Sequence, residues 1–367
     1  MTITGRPTDT PAATDVHPFL TEVENYAESV LRPRALATDA TAVAPERITE
    51  FATLGLLNHL APAEFGGAGL GRADDRRLHE IIAGACPNTW LVWAQHAPIA
   101  ARLIAARDEG LTLPDLALDI LRGERLAGAA LSDVRRFPDH YIRARRITGG
   151  WVVTGRVSWV SGWGLNSVLT TAAIDSAERR VVTALIPVTD RLRAAPLELA
   201  ALTGSRTERV FLDEVFVPDE NVLSVQTIEE WHHNDVGNAN DARPHHFGLA
   251  ESILNELSES TADEARALAR AWRPQIDRLR SGAYQLIDAA ADAKDPSLDV
   301  QQRLNTRVAT FDALSALSRA LLVARAGHGI ARDDTAQFYA RTILFFHVQG
   351  QNATGRAAQL TSLTPPD

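Results

Sequence analysis

Histidine is the side chain in this sequence best suited to move protons, because imidazole changes charge near neutral pH and can serve as acid or base. His245 and His246 stand side by side, and His328 and His347 follow late in the chain. There is no His-Glu-x-x-His and no Cys-x-x-Cys spacing, so a metal centre has no support. The glycines of residues 60–70 do not match a dinucleotide fingerprint, since their spacing is wrong and no strand-like run precedes them. A single cysteine, Cys86, rules out an intramolecular disulfide and is compatible with a reducing compartment, with the cytoplasm as the expected location.

The elements that must position such groups are legible as changes of period. From Phe19 to about Arg122, apolar residues recur at three- and four-residue steps, as in Leu78, Ile81 and Ile82, which predicts helices. From about Glu124 to Val225 the period becomes two, with β-rich runs at 141–147, 151–157, 167–174 and 180–186; Gly149-Gly150 between the first two is a hairpin signal. From about Trp231 the helical period returns. Leu304, Val308, Phe311, Leu314, Leu317 and Leu321 form one apolar stripe, and helices over 243–258, 262–291, 298–326 and 334–362 would suit an antiparallel bundle. The expected class is α+β, mainly α. It divides into an N-terminal helical domain (1–122, with 1–15 disordered), a central antiparallel β-barrel or sandwich domain (123–228) and a C-terminal four-helix bundle (229–367).

At 367 residues the chain can bury a sizeable core. Its formal net charge of −9 is spread over both halves, so no basic stripe is available to follow a nucleic acid backbone. The N-terminus lacks a basic start and an apolar run, and the longest uncharged stretch, 81–101, contains prolines and polar residues, so neither a secretion signal nor a membrane span is expected.

Several segments together resemble the acyl-CoA dehydrogenase superfamily. Residues 60–70 (LAPAEFGGAGL) resemble its Leu-x-Pro-Glu-aromatic-Gly-Gly-x-Gly joint, 154–162 (TGRVSWVSG) its Thr/Ser-Gly-x-Lys-x-Trp-Ile-Thr/Ser-x-Gly run, and 201–218 the segment that leaves its β domain. Residues 327–341 are similar to its last Gly-x-Gly turn and the Arg-bearing helix that follows. The order helical, β, helical is also that of the superfamily. The resemblance implies a flavin, FAD with FMN as the alternative, held between the β domain and the bundle. It places the Leu131 backbone and the Ser132 hydroxyl at the pyrimidine edge, packs Trp159 on the ring, and sets the Val160 backbone and the Ser161 hydroxyl near N5 and O4. Donors at the pyrimidine edge make sense, because reduction adds negative charge there. Trp163, Gln349 and Gly350 would border the substrate.

The departures bear on the reaction. Laid on the family pattern without gaps, the glutamate that takes the substrate proton falls on Gly350; Asp241 and Glu251 are the substitute acids nearest the alternative position on the first bundle helix. The Arg-x-x-Phe-Gly run that holds the adenine half of FAD is also missing: residues 278–282 read RLRSG. Three functions follow as expectations. The first is a flavin-dependent oxidoreductase that oxidises an acyl thioester or related small metabolite by hydride transfer to flavin N5. Another is a two-component monooxygenase using reduced flavin and O2, and the third is a non-catalytic partner subunit. The implied partners are a small-molecule substrate, a flavin reductase or electron acceptor, and further copies of the chain in a homodimer or homotetramer, with no nucleic acid or membrane.

Overall fold

The computed structural model describes residues 17–365, so the expected disordered lead-in at 1–15 lies outside it. Seven α-helices come first: α1 (Pro18–Tyr26), α2 (Ala35–Ala40), α3 (Pro45–Thr53), α4 (Arg72–Ala85), α5 (Pro87–Trp93), α6 (Ala97–Asp108) and α7 (Asp115–Leu121). Proline at the first turn of α1, α3, α5 and α6 presets φ where no backbone donor is needed. α4 shows why the period was readable: its first turn carries Asp74 and Asp75, favourable at the positive end of the helix dipole, while Leu78, Ile81 and Ile82 are buried.

Eight strands follow: β1 (Ala127–Ala130), β2 (Arg143–Ile147), β3 (Gly150–Val160), β4 (Val168–Asp175), β5 (Arg180–Pro187), β6 (Arg193–Pro196), β7 (Glu208–Pro218) and β8 (Val222–Thr227). They form one sheet in the order β6-β7-β3-β2-β4-β5-β8, with β1 parallel to β4. The sheet is mostly antiparallel, as expected. The β2–β3 turn lies at Thr148-Gly149, and Gly150 already belongs to β3, opposite Pro218.

The chain then returns to helices: α8 (Ile228–Asn240), α9 (Pro244–Ser258), α10 (Asp263–Asp292), α11 (Val300–Arg325), α12 (Thr335–Val348) and α13 (Ala353–Ser362). The expected final helix over 334–362 is two helices. Gly350 breaks it with φ +64°, a left-handed conformation that only glycine adopts cheaply, and the Asn352 side chain then caps α13 by accepting from Gly355 N at 2.7 Å. No helix among the described residues is long and apolar enough to cross a membrane.

One apolar core joins α1, α4, α5, α9, α11 and α12, and α9 lies inside it, with His245 to Ala250 buried on every side. α4 and α9 cross in backbone contact. A methyl group on Gly248 would sit 2.1 Å from the Glu80 carbonyl oxygen, and one on Gly84 would sit 2.8 Å from that of Gly248. The Ser252 hydroxyl and the Arg32 guanidinium both donate to the Gly84 carbonyl, at 2.8 and 3.0 Å, so the crossing is also hydrogen-bonded. Gly248→Ala must push the two helices apart, at a cost of about 3 kcal/mol; chemical denaturation should show that loss, and a variant as stable as wild type would contradict the close crossing.

Candidate functional site

Two of the segments singled out from sequence meet through Asp133, the acid that closes the run 128–133 (GAALSD). Asp133 sits in the short turn after β1, is 2% exposed, and accepts from the Ser158 amide at 2.8 Å and the Ser158 hydroxyl at 2.6 Å. A buried carboxylate that receives two hydrogen bonds is fixed in place, since removing either would strand a charge in the interior. It therefore draws Leu131-Ser132 against the stretch Trp159-Val160-Ser161. Arg136 adds a bond from its guanidinium to the Ser158 hydroxyl at 3.1 Å.

Around that tie, Trp159 is 45% exposed although its neighbours Ser158 and Val160 are buried. Ser132 is exposed, and its hydroxyl has no partner among the described residues. Ser161 is oriented by Thr207, which also meets Ser205, both at 2.8 Å, and the Ser161 carbonyl accepts from Asn166 at 2.7 Å. Trp163 packs against the apolar core of the sheet, and its amide donates to the Arg206 carbonyl at 2.9 Å.

A second cluster lies at the head of the bundle. Arg135, three residues after Ser132, forms a two-pronged pair with Asp235 of α8 at 2.5 and 2.8 Å, so the β1 turn is clamped to the helix that leads into the cluster. From the other side, Gly162 at the end of β3 lies so near Val92 of α5 that a Cβ would come within 2.9 Å of it. Two residues away Trp90 stacks on His245 of α9, ring centroids 4.0 Å apart, and donates its indole N–H to His79 at 3.0 Å. His245 also packs against His246 at 4.1 Å and Phe346 of α12 at 4.8 Å. Burial first, then the neighbouring His246, holds His245 well below its ordinary range; burial does the same to His246 and takes His79 down to about 4. These rings are neutral at physiological pH.

Arg307 of α11 completes the cluster. It is 3% exposed, donates to the carbonyls of Asp241 at 2.9 Å and Gln349 at 2.8 Å, and lies over the Phe311 ring at 4.9 Å. Burial, and then the positive charge of Arg243, push its guanidinium down to about 10. No carboxylate among the described residues pairs with it. Among the described residues, Arg307 Nε, His245 Nε2, Gln349 Oε1 and the nearby Asn240 Oδ1 are buried without a hydrogen-bond partner.

The two substitute acids are both occupied. Asp241 is 3% exposed and accepts from the equally buried Arg303 at 2.7 Å, while Arg243 stands 3.5 Å away. Glu251 faces α10, where it pairs with Arg273 at 2.6 Å. Gly350 lies in the turn between α12 and α13, after Gln349. Arg341 of α12 reaches Asp39 at 2.7 Å, which fastens the bundle to the N-terminal helices.

Sequence reading passed over Arg307 and Trp90, and gave Asp133 no role beyond the acid that closes the 128–133 run. Arg307 had a signal: it falls on the stripe of Leu304, Val308 and Phe311, and a charge on an otherwise apolar face is a candidate for function. Trp90 had none, and the 128–133 run did not reveal what Asp133 holds, because the partners of both are remote in sequence.

Residues 14–107 match the family model described as acyl-CoA dehydrogenase, N-terminal domain. The described helices and sheet superpose on butyryl-CoA dehydrogenase from Megasphaera elsdenii with a TM-score of 0.78 at 14% identity, covering 96% of this chain and 99% of that one. The chain is similar to acyl-CoA dehydrogenases, in sequence over its N-terminal helical region and in fold over nearly its whole length. Mitochondrial isovaleryl-CoA dehydrogenase of Oryza sativa subsp. japonica is 26% identical over 216 residues, covering 56% of this chain and 53% of its own length. The pigment production hydroxylase of Rhodococcus sp. (strain ATCC 21145) is 25% identical over 179 residues, 47% of this chain and 43% of its own. A structure described as an FAD complex of PigA shares the fold with a TM-score of 0.77 at 13% identity, covering 97% of this chain and 99% of that one. The chain thus spans about half the length of the curated relatives it matches, and nearly the whole of the solved structures.

Asp241 in this setting is a structural counter-charge. Asp241→Asn leaves Arg303 buried without its partner and should cost about 3–5 kcal/mol of stability; loss of catalysis in a variant that unfolds like wild type would instead mark Asp241 as a reacting group.

Proposed function

We propose that this protein is a flavin-dependent oxidoreductase of the monooxygenase branch, using FAD reduced by a separate reductase, and O2. The observation that carries the reaction type is that, among the described residues, both substitute acids near the first bundle helix are paired with arginines. Proton abstraction beside a thioester carbonyl needs a base within hydrogen-bond reach. Here the residue at the expected position is Gly350, Asp241 is paired with Arg303, and Glu251 is paired with Arg273 of α10. Likeness to a pigment production hydroxylase is in keeping with this reading. Isovaleryl-CoA dehydrogenase relatives keep acyl thioester dehydrogenation as the second reading.

The residues present fit a flavin. An indole 45% exposed on a strand between two buried neighbours is a platform for a flat ring, and the partner-free Ser132 hydroxyl supplies hydrogen-bonding capacity beside it. When bound, reduced flavin supplies the two electrons by which one atom of O2 enters the substrate and the other leaves as water. In this assignment Leu131 and Ser132 hold one edge of the ring, and Trp159 covers a face. Val160 and Ser161 hold the opposite edge, and Asp133 positions both segments without touching the ring. Nothing in this scheme requires a base on α12.

Val323, Ile330, Leu344, Val348, Leu360 and Leu363 are each more than half exposed along the last helices, a set of apolar side chains suited to pairing with a second copy of the chain in a homodimer or homotetramer.

Two measurements test the assignment. Asp133→Ala, checked for folding by circular dichroism, should weaken FAD binding roughly tenfold or more, since it releases both hydrogen bonds that join the two segments; titration with unchanged affinity would remove Asp133 from the cofactor site. The FAD-loaded protein should not be bleached anaerobically by a panel of acyl-CoA thioesters, and with a flavin reductase it should incorporate oxygen from O2 into an aromatic substrate. Bleaching by a thioester would establish the dehydrogenase reading instead. Failure to bind flavin at all would leave the partner-subunit reading.

A further inference from the structure

We propose that the outer face of β2, β3, β7 and β6 is a docking surface for an acidic helical segment of a partner protein. Strand register assigns the face. Ala144, Val153, Val210 and Val217 turn into the apolar core of the sheet, so the residues that alternate with them look outward. Cross-strand pairing sets these in rows: Arg145 beside Val152 beside Phe216, and Arg156 beside Phe211 beside Arg193 of β6. Arg143 and Arg209 belong to the same face. Of its five arginines, Arg143, Arg145, Arg156 and Arg193 are exposed and Arg209 is half-buried, and none has an ion pair or side-chain hydrogen bond among the described residues. Arg146, which points to the other side of β2, is by contrast paired with Asp219. The even spread of charge along the sequence conceals this face, because four strands assemble it.

The chemistry of the face selects its occupant. Phe216 is 53% exposed, the one exposed phenylalanine among the described residues, and its ring lies over Gly150, where a Cβ would come within 2.9 Å of it. An aromatic ring among unpaired arginines is the composition of a protein interface: the ring is desolvated against an apolar side chain, and the guanidinium planes take carboxylates in two-pronged pairs. Positive charge here, on a chain whose formal net charge is −9, calls for an acidic partner. Asp213 and Glu214, exposed at the irregularity of β7, would repel the unbroken phosphates of a nucleic acid or an anionic bilayer, whereas a protein can place its residues to suit both signs. A second copy presenting the same face would set arginine against arginine. Four adjacent strands span about 14 Å, room for one helix of about 10 Å diameter.

Fluorescence anisotropy on the full chain reads docking without turnover. The probes are a labelled glutamate-rich helical peptide with a leucine stripe, the same peptide with alanine for leucine, one with lysine for glutamate, and a labelled DNA duplex; phosphatidylserine vesicles are read by co-sedimentation. The leucine-striped acidic peptide should bind, about tenfold more tightly than the alanine form, and the lysine form should not. Arg145→Glu combined with Arg193→Glu should weaken binding about tenfold or more. Arg122→Glu combined with Arg270→Glu makes the same charge change at exposed positions off the sheet and should leave binding nearly intact. Phe216→Ala should remove the advantage of the leucine stripe, and provides the reading if the doubly reversed sheet variant does not fold. Equal binding by the two charge-reversed proteins overturns the proposal, as does a leucine advantage that survives Phe216→Ala. Tighter binding of the duplex or the vesicles than of the acidic peptide overturns it in favour of phosphate recognition. Self-association that the Arg145 and Arg193 reversal abolishes would give the face to a second copy and overturn it as well.

Discussion

The close crossing of α4 and α9 at Gly84 and Gly248 is the constraint on which the rest of the arrangement depends. With no side chains between them, the two backbones approach to contact, and this brings α5, which follows α4 after one residue, against the start of α9. Trp90 then lands on His245 and Val92 beside Gly162. A wider crossing would separate the N-terminal helices from the bundle by the thickness of a side chain and dissolve the aromatic cluster that both share.

The candidate cofactor site depends on a different economy. Two segments of the β region, remote in sequence, become one surface through a single buried carboxylate, and the Arg135–Asp235 pair carries that surface to the bundle. Charges buried in pairs of this kind seldom add much net stability, because desolvation offsets attraction, but breaking one is expensive. Their effect is to set position. The Arg303–Asp241 pair acts alike at the head of α9, and in doing so it removes from the chemistry an acid that its place in the sequence recommends.

Arg307 is the counter-example: a buried cation that donates to two backbone carbonyls, beside side chains whose polar atoms lack a partner among the described residues. Natural interiors rarely leave such capacity unused. Arg307 differs in this from Arg303, whose guanidinium meets a buried carboxylate.

The sequence by itself determined the class of the fold and its order. Periods of 3.6 and two residues record which face of each element is buried, and that information is local; α4, β3, β4, β5 and the apolar stripe of α11 were readable for this reason. It also determined what is missing, because the want of a glutamate at Gly350 is a matter of residue identity. What only the tertiary structure decided is which charges are free. Asp241 and Glu251 look alike as neighbours of α9, yet both are taken by arginines 62 and 22 residues away, on α11 and α10. Asp133 looks like a turn residue and instead holds Ser158, 25 residues on. The split of 334–362 into two helices turns on one backbone angle at Gly350. Pairing of buried charges is set by distance in space at a low local dielectric, and no period in the sequence encodes it.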